Sequence, residues 1–307
     1  MDREVKQVID DIKSLKIQGA RNVAKAAINA LGKAAKKSKA KSYGSFYKDI
    51  DLAADALSIS RPTEPMMRSL LNEEMEFLRK LKSEKFEKIA NMFLAHQKET
   101  VKRMDVDAKN LAEYGAKLIP DGANILTHCH SSTTTQILIH AKKMKKKFSV
   151  VAFETRPRYQ GRKTATELAN AGIDTTLVVD GAMHLFMKKA DIVIVGADSI
   201  TSRGDLINKI GTATLAHIAK SNDVSFYSAT ELAKYSPMTI FGTREKIEER
   251  DHKEIWENAP KKVKIRNPAF EATAAKYING YITELGVIPP QSFFAVATQK
   301  LGIKLYE

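Results

Sequence analysis

The run Thr127, His128, Cys129, His130, Ser131, Ser132 sets the chain's single cysteine between two histidines, just after an apolar stretch and just before threonines that open a helical pattern. A strand-to-helix turn of this composition aims backbone N–H groups and hydroxyls outward, and a helix N-terminus favours an anion or a thiolate. Cys129 is therefore placed for reactivity. The alternative is an inert buried thiol, since free cysteine commonly packs as a small hydrophobe. Consecutive His-Cys-His is poor metal spacing, and no paired cysteine or histidine motif accompanies it, so no metal site is expected. His128 either closes the strand through a backbone contact or meets a substrate.

A carboxyl group stands at a matching place. Asp198 ends the run Gly196, Ala197, Asp198 after the apolar stretch 191–196, where it serves as an acid–base group or as a helix cap. Beyond it, Gly204, Asp205, Asn208, Lys209, Gly211 and Thr212 combine glycine flexibility, an amide, a cation and a hydroxyl ahead of another helix. These are the parts needed to hold a phosphate and sugar hydroxyls. Their spacing fits neither the phosphate loop of nucleotide triphosphatases nor the glycine fingerprint of dinucleotide enzymes. In the segment 154–161, Arg156 and Arg158 add guanidinium forks of the kind that grip phosphate.

The elements that must position these groups follow from the apolar rhythm. Short apolar runs at 124–128, 148–153, 175–179, 191–196 and 225–228 alternate with helical stretches. That pattern predicts a parallel sheet covered on both faces, with ligands gathering at the carboxyl ends of its strands. The first third predicts helices only, through Val5, Val8, Ile9, Ile12 and Leu15 and again through Leu70, Leu71, Phe77, Leu78 and Leu81. Breaks fall at 17–21 and, through two prolines, at 60–65. The expected fold class is α/β, with an all-helical domain over 1–115 and a Rossmann-like, doubly wound, mostly parallel domain over 116–307.

Composition excludes several classes. With 307 residues, 43% hydrophobic and 28% charged, the chain has an ordinary globular balance, and its apolar runs fall short of a membrane span. The start predicts an amphipathic helix in place of a signal peptide, so a cytoplasmic location is expected. A net charge of +14 implies attraction to anions. Much of the excess sits in lysine runs at 35–41 and 142–147, which lack interleaved aromatics and suggest a solvated face or a strand lead-in.

Five segments in order carry a resemblance: 127–132, Glu154 to Pro157 followed by Gln160 and Gly161, 196–200, 208–212, and 282–290. Together they resemble the superfamily of archaeal ribose-1,5-bisphosphate isomerases, methylthioribose-1-phosphate isomerases, and the alpha, beta and delta regulatory subunits of translation initiation factor 2B. The resemblance spans nearly the whole chain. It implies conversion of ribose 1,5-bisphosphate to ribulose 1,5-bisphosphate within AMP and nucleoside degradation, with Cys129 and Asp198 as the proton-transfer pair. In that reading Asp198 is an acid kept protonated in an apolar pocket, and Cys129 is a thiolate base near a helix N-terminus. Substrate contacts are implied at Gly19, Ala20, Arg21, Arg61, Ser131, Ser132, Thr133, Asn208, Lys209 and Lys234. One departure stands out: Gln18 replaces the arginine typical of the isomerase's N-terminal loop.

The resemblance further implies a homo-oligomer, a dimer or a hexamer assembled from dimers, and AMP as an effector. No cofactor, membrane or nucleic acid is expected. Its rival implication is a non-catalytic regulatory subunit that binds a sugar phosphate or nucleotide and contacts initiation factor 2; retention of Cys129 and Asp198 argues against it. The sister activity on methylthioribose 1-phosphate is the other alternative.

Overall fold

Apolar residues at helical spacing give the first third of the chain its structure. The computed structural model describes residues 2–61 and 64–303, and its contacts divide into two compact units, one ending at Asp107 and one beginning at Ala108. Five helices make up the first: α1 (Arg3–Lys13), α2 (Ala20–Lys37), α3 (Tyr43–Ser60), α4 (Pro65–Lys80) and α5 (Phe86–Leu118), the last running on into the second unit. The domain boundary expected at 115 therefore lies inside α5, whose apolar pattern is unbroken there. Local chemistry sets the ends of these helices. Asp2 caps α1 by accepting the Glu4 N–H at 2.8 Å, and Ser42 and Ser45 form a reciprocal capping box on α3. Val5, Ile9 and Ile12 put one face of α1 into the interior. Both expected helix breaks occur, although Pro62 and Thr63 of the second lie outside the described residues.

Alternation of apolar strands with helices builds the second unit. Its elements are β1 (Ala123–His128), α6 (Ser132–Lys143), β2 (Phe148–Phe153), α7 (Gln160–Asn170), β3 (Asp174–Val178), α8 (Met183–Met187), β4 (Ile192–Val195), β5 (Ser199–Ile200), β6 (Leu206–Lys209), α9 (Thr212–Ser221), β7 (Ser225–Ala229), β8 (Phe270–Thr273), β9 (Gly280–Thr283), β10 (Gly286–Ile288) and α10 (Pro290–Leu301). Seven strands form the main sheet in the order β10-β9-β7-β4-β1-β2-β3, parallel throughout except that β10 runs against β9. Ile192 and Ile194 of β4 join the core on one face, with Ile125, Leu138 and Val150. Val193 and Val195 join the core on the other, with Phe226, Tyr281 and Phe293. Burial on both faces explains why these strands are continuously apolar.

The chain order leaves β1 in opposite directions, through α6 to β2 and later back to β4. The carboxyl ends of β1 and β4 thus flank a topological switch point, the usual place for a ligand crevice in such sheets. Two features went unread in the sequence. The small antiparallel sheet β5-β6-β8 places Asn208 and Lys209 on a strand, and β9 and β10 extend the main sheet beyond β7. The lysine run after α6 is in part structural: Lys146 donates to the Ala116, Lys117 and Ile119 carbonyls where α5 ends and its last carbonyls run out of helical partners. Among the described residues, no helix is long and apolar enough to cross a membrane.

Gly161 lets α7 begin against β2. A Cβ there would overlap the Phe153 carbonyl oxygen and sit 2.7 Å from its carbon. Gly161→Ala should therefore destabilise the fold by about 3 kcal/mol. Gly44→Ala, where an added Cβ meets nothing within 4 Å, should be neutral or stabilising by up to about 1 kcal/mol. Urea denaturation of both variants checks this contrast.

Candidate active site

Cys129 is the first residue of the turn that follows β1, and its backbone is left-handed, with φ of 67°. A non-glycine residue keeps such a conformation only where its surroundings hold it. Both backbone groups of Cys129 are held: its N–H donates to Thr155 Oγ1 at 2.8 Å, and its carbonyl accepts from Thr164 Oγ1 at 2.9 Å. Thr155 lies in the turn after β2 and is itself left-handed, with φ of 64°. Its N–H donates to Asp180 Oδ1 at 2.8 Å, and the next N–H, of Arg156, donates to Asp180 Oδ2 at 2.7 Å. Ser131 then caps α6, accepting the Thr134 N–H at 3.2 Å. Thr133 is buried within the first turn of that helix, which Ser132 opens.

Asp198 approaches from β4. Its N–H donates to the Ile207 carbonyl at 3.0 Å, which ties the loop after β4 to β6. The turns that carry Asp198 and Cys129 touch, because Gly196 has no side chain: a Cβ there would lie 2.6 Å from Ser131 Cβ and Oγ. The Lys209 ammonium, 4.6 Å from the Phe270 ring centroid, and the carboxylates of Asp198 and Asp180 all act on the thiol. Asn208 is buried and donates from Nδ2 to Thr212 Oγ1 at 3.0 Å. Lys234, also buried, donates from Nζ to the Ala197 carbonyl at 2.9 Å and pairs with Glu231 at 3.4 Å. Cys129, Ser131, Asp198, Lys209 and Lys234 are therefore gathered around the carboxyl ends of β1 and β4, with Asn208 beside Lys209 on β6.

Burial opposes the expected thiolate. Burial pushes the Cys129 thiol up to about 11, Lys209 and the His130 backbone oppose that rise, and the Asp198 and Asp180 carboxylates add to it. Burial likewise lowers His128 and His130. His128 is 2% exposed, and its Nε2 donates to the Ile210 carbonyl at 2.8 Å, which makes it a strand-closing residue.

Gly19, Ala20, Arg21 and Arg61 belong to the helical unit. Gly19, with φ of 85°, precedes α2, and Ala20 and Arg21 form its first turn. Arg61 follows α3 and pairs with Glu64 at 3.4 Å. Gln18 donates from Nε2 to the Leu15 carbonyl at 2.6 Å. The two arginines read as phosphate forks are engaged within the protein. Arg156 donates to Tyr159 Oη at 2.6 Å and to the Ile255 carbonyl at 3.1 Å, and Arg158 pairs with Glu254 at 3.5 Å. Thr155, Thr164 and Asp180 escaped the sequence reading, as did Glu271, which accepts the Gly211 and Ala213 N–H groups at 2.6 and 2.9 Å where α9 begins. Only Asp180 left a usable signal, as an acid just past an apolar strand. Among the described residues, no group of three or more His, Cys, Asp or Glu is placed to hold a metal ion.

A doubly wound parallel sheet, preceded in the chain by a helical unit and carrying a thiol and a carboxyl at its switch point, defines an α/β protein. The chain belongs to the Initiation factor 2 subunit family, whose pattern matches residues 16–290. It is 38% identical to ribose 1,5-bisphosphate isomerase of Archaeoglobus fulgidus over 304 residues, which are 97% of this chain and 94% of that protein. It is 35% identical to methylthioribose-1-phosphate isomerase of Pelotomaculum thermopropionicum, over 94% of this chain and 83% of that one. The solved Pyrococcus horikoshii translation initiation factor eIF-2B shares its fold with a TM-score of 0.78 at 32% identity, covering 94% of this chain and 98% of that one.

Because Cys129 is the chain's single cysteine, its ionisation can be followed by alkylation alone. A thiol raised by burial releases its proton only as pH climbs towards the raised value. Iodoacetamide labelling, followed by intact mass, should therefore be slow at pH 8 and still accelerating at pH 10, with its midpoint near about 11. A midpoint at or below the ordinary thiol range, about 8.5, would contradict the burial argument.

Proposed function

We propose that this protein is an aldose–ketose isomerase that converts ribose 1,5-bisphosphate to ribulose 1,5-bisphosphate, with Cys129 and Asp198 moving the protons. One observation carries the reading: the single thiol of the chain and a carboxyl from a different strand meet at one switch point, where Lys209 acts on the same sulfur. The full-length likeness to proteins named for this reaction supports it.

A phosphate on C1 locks the sugar as a ring, so the ring must open before hydrogen can move. Asp198 gives a proton to the ring oxygen as the C1–O bond breaks, and the Cys129 thiolate takes the proton from C2, forming the C1–C2 double bond of an enol. Cys129 then returns that proton to C1, the hydroxyl on C2 gives its proton to the Asp198 carboxylate, and the ketone forms. Each group ends as it began. The pair needs one proton between them, carried on the carboxyl when the sulfur is charged. Burial is the main cause of the raised thiol, and the Asp198 carboxylate adds to it. Lys209 favours the thiolate form, while the hydroxyls and N–H groups of Ser131, Ser132 and Thr133, with Asn208, Lys209 and Lys234, supply donors for phosphate and sugar oxygens.

The test is turnover of purified protein, with product identified by phosphorus and carbon NMR. Ribose 1,5-bisphosphate should yield ribulose 1,5-bisphosphate, and Cys129→Ser and Asp198→Asn should each lower kcat by about 1,000-fold or more with unchanged thermal unfolding. Turnover of methylthioribose 1-phosphate alone would move the assignment to the sister reaction. Sugar-phosphate binding with no turnover would favour a regulatory subunit instead.

A further inference from the structure

We propose that Asp180 and Thr155 are positioning residues that hold the Cys129 turn, and with it the thiol, in its working conformation. The proposal rests on the reading of Cys129 as the reacting thiol. Asp180 does not face substrate with a free oxygen: Oδ1 takes the Thr155 N–H and Oδ2 takes the Arg156 N–H. Such a two-point clamp fixes the turn after β2, and with it the left-handed backbone of Thr155, a β-branched residue that rarely adopts it. The clamp fixes where the Thr155 hydroxyl lies. That hydroxyl donates to the Phe153 carbonyl at 3.1 Å, so its lone pair is directed to the Cys129 N–H.

Three successive parallel strands are thereby linked through their carboxyl-end turns: Asp180 after β3, Thr155 after β2 and Cys129 after β1. Thr164 completes the support. Its hydroxyl donates to the Cys129 carbonyl and faces His130 Nδ1 at 3.1 Å. His128 Nδ1 lies 3.4 Å from Thr155 Oγ1 and 3.9 Å from Asp180 Oδ1, and burial keeps that ring neutral. The charges acting on the sulfur are thus Lys209, which favours the thiolate, against Asp198 and Asp180, which disfavour it. Asp198 belongs to the chemistry and can take up a proton. Asp180 has both oxygens taken by backbone N–H donors, so its part is to hold the turn that positions Cys129.

The experiment pairs alkylation with turnover in full-length variants. Asp180→Asn keeps the size of the side chain but removes one point of the clamp, since an amide nitrogen cannot accept an N–H. Its iodoacetamide labelling at pH 8 should change by at least about three-fold as the turn that carries the thiol is released, and kcat should fall by about ten-fold or more while KM stays within about two-fold. Thr155→Val should lower kcat similarly, and Thr155→Ser, which keeps the hydroxyl, should restore it. Wild-type labelling kinetics in Asp180→Asn, or equal kcat values in the valine and serine variants, would overturn the proposal. If Asp180→Asn does not fold, the two Thr155 variants carry the test. The labelling arm needs no substrate. Altered labelling without turnover in any protein would thus sink the isomerase reading alone, whereas turnover with unaltered labelling would sink this one.

Discussion

Parallel pairing of β1 with β4, in which Leu126 lies opposite Val193, is the constraint on which the rest of the crevice depends. That register brings the turns after the two strands to the same level, and glycine at 196 lets them touch at Ser131. Residues 129 and 198 are distant in the chain, and no local interaction joins them. They meet because both strands are buried on both faces and cannot slip without moving their whole apolar set. The free energy that aligns the site is therefore core burial on the two faces of the sheet, of order 25 cal/mol for each Å² of apolar surface removed from water. Hydrogen bonds at the strand ends only refine what the core has already aligned.

Burial that aligns the site also makes an ionised thiol costly. A cysteine exposed at the tip of α6 would feel the helix dipole through water and ionise readily. Cys129 is half-buried, and two carboxylates oppose a single ammonium at its sulfur.

Much of the fold was legible in the sequence because it follows periodicity. The run 148–153 coincides with β2 (Phe148–Phe153), and the ends of the other anticipated strands differ by a residue or two. Strand-end chemistry was legible for the same reason, since a parallel sheet delivers its carboxyl ends to one edge. The small sheet was not: β5 has two residues, and β8 lies far downstream of its partner β6, so neither local alternation nor spacing announces the pairing. Thr155, Thr164 and Asp180 were hidden for a different reason. Their roles come from left-handed backbone and from hydrogen bonds to main-chain atoms, and residue identity says little about either.

Charge placement was the least legible property, and its reason bears on how the site meets an anion. A net charge of +14 suggests a cationic crevice, yet much of the nearby excess is committed elsewhere. Lys146 stops α5, Arg156 binds Tyr159 and the Ile255 carbonyl, Arg158 binds Glu254, and Lys234 is buried against Glu231. Lys209 differs, since it rests against an aromatic ring with no carboxylate in the pairs described, and it acts directly on the sulfur. An anion at the crevice would thus be met by few full charges and many hydroxyl and N–H donors of the α6 turn. Such donors recognise shape and lone-pair direction more than charge, so selectivity for one phosphorylated sugar over another must reside in their geometry and not in the basic composition of the chain.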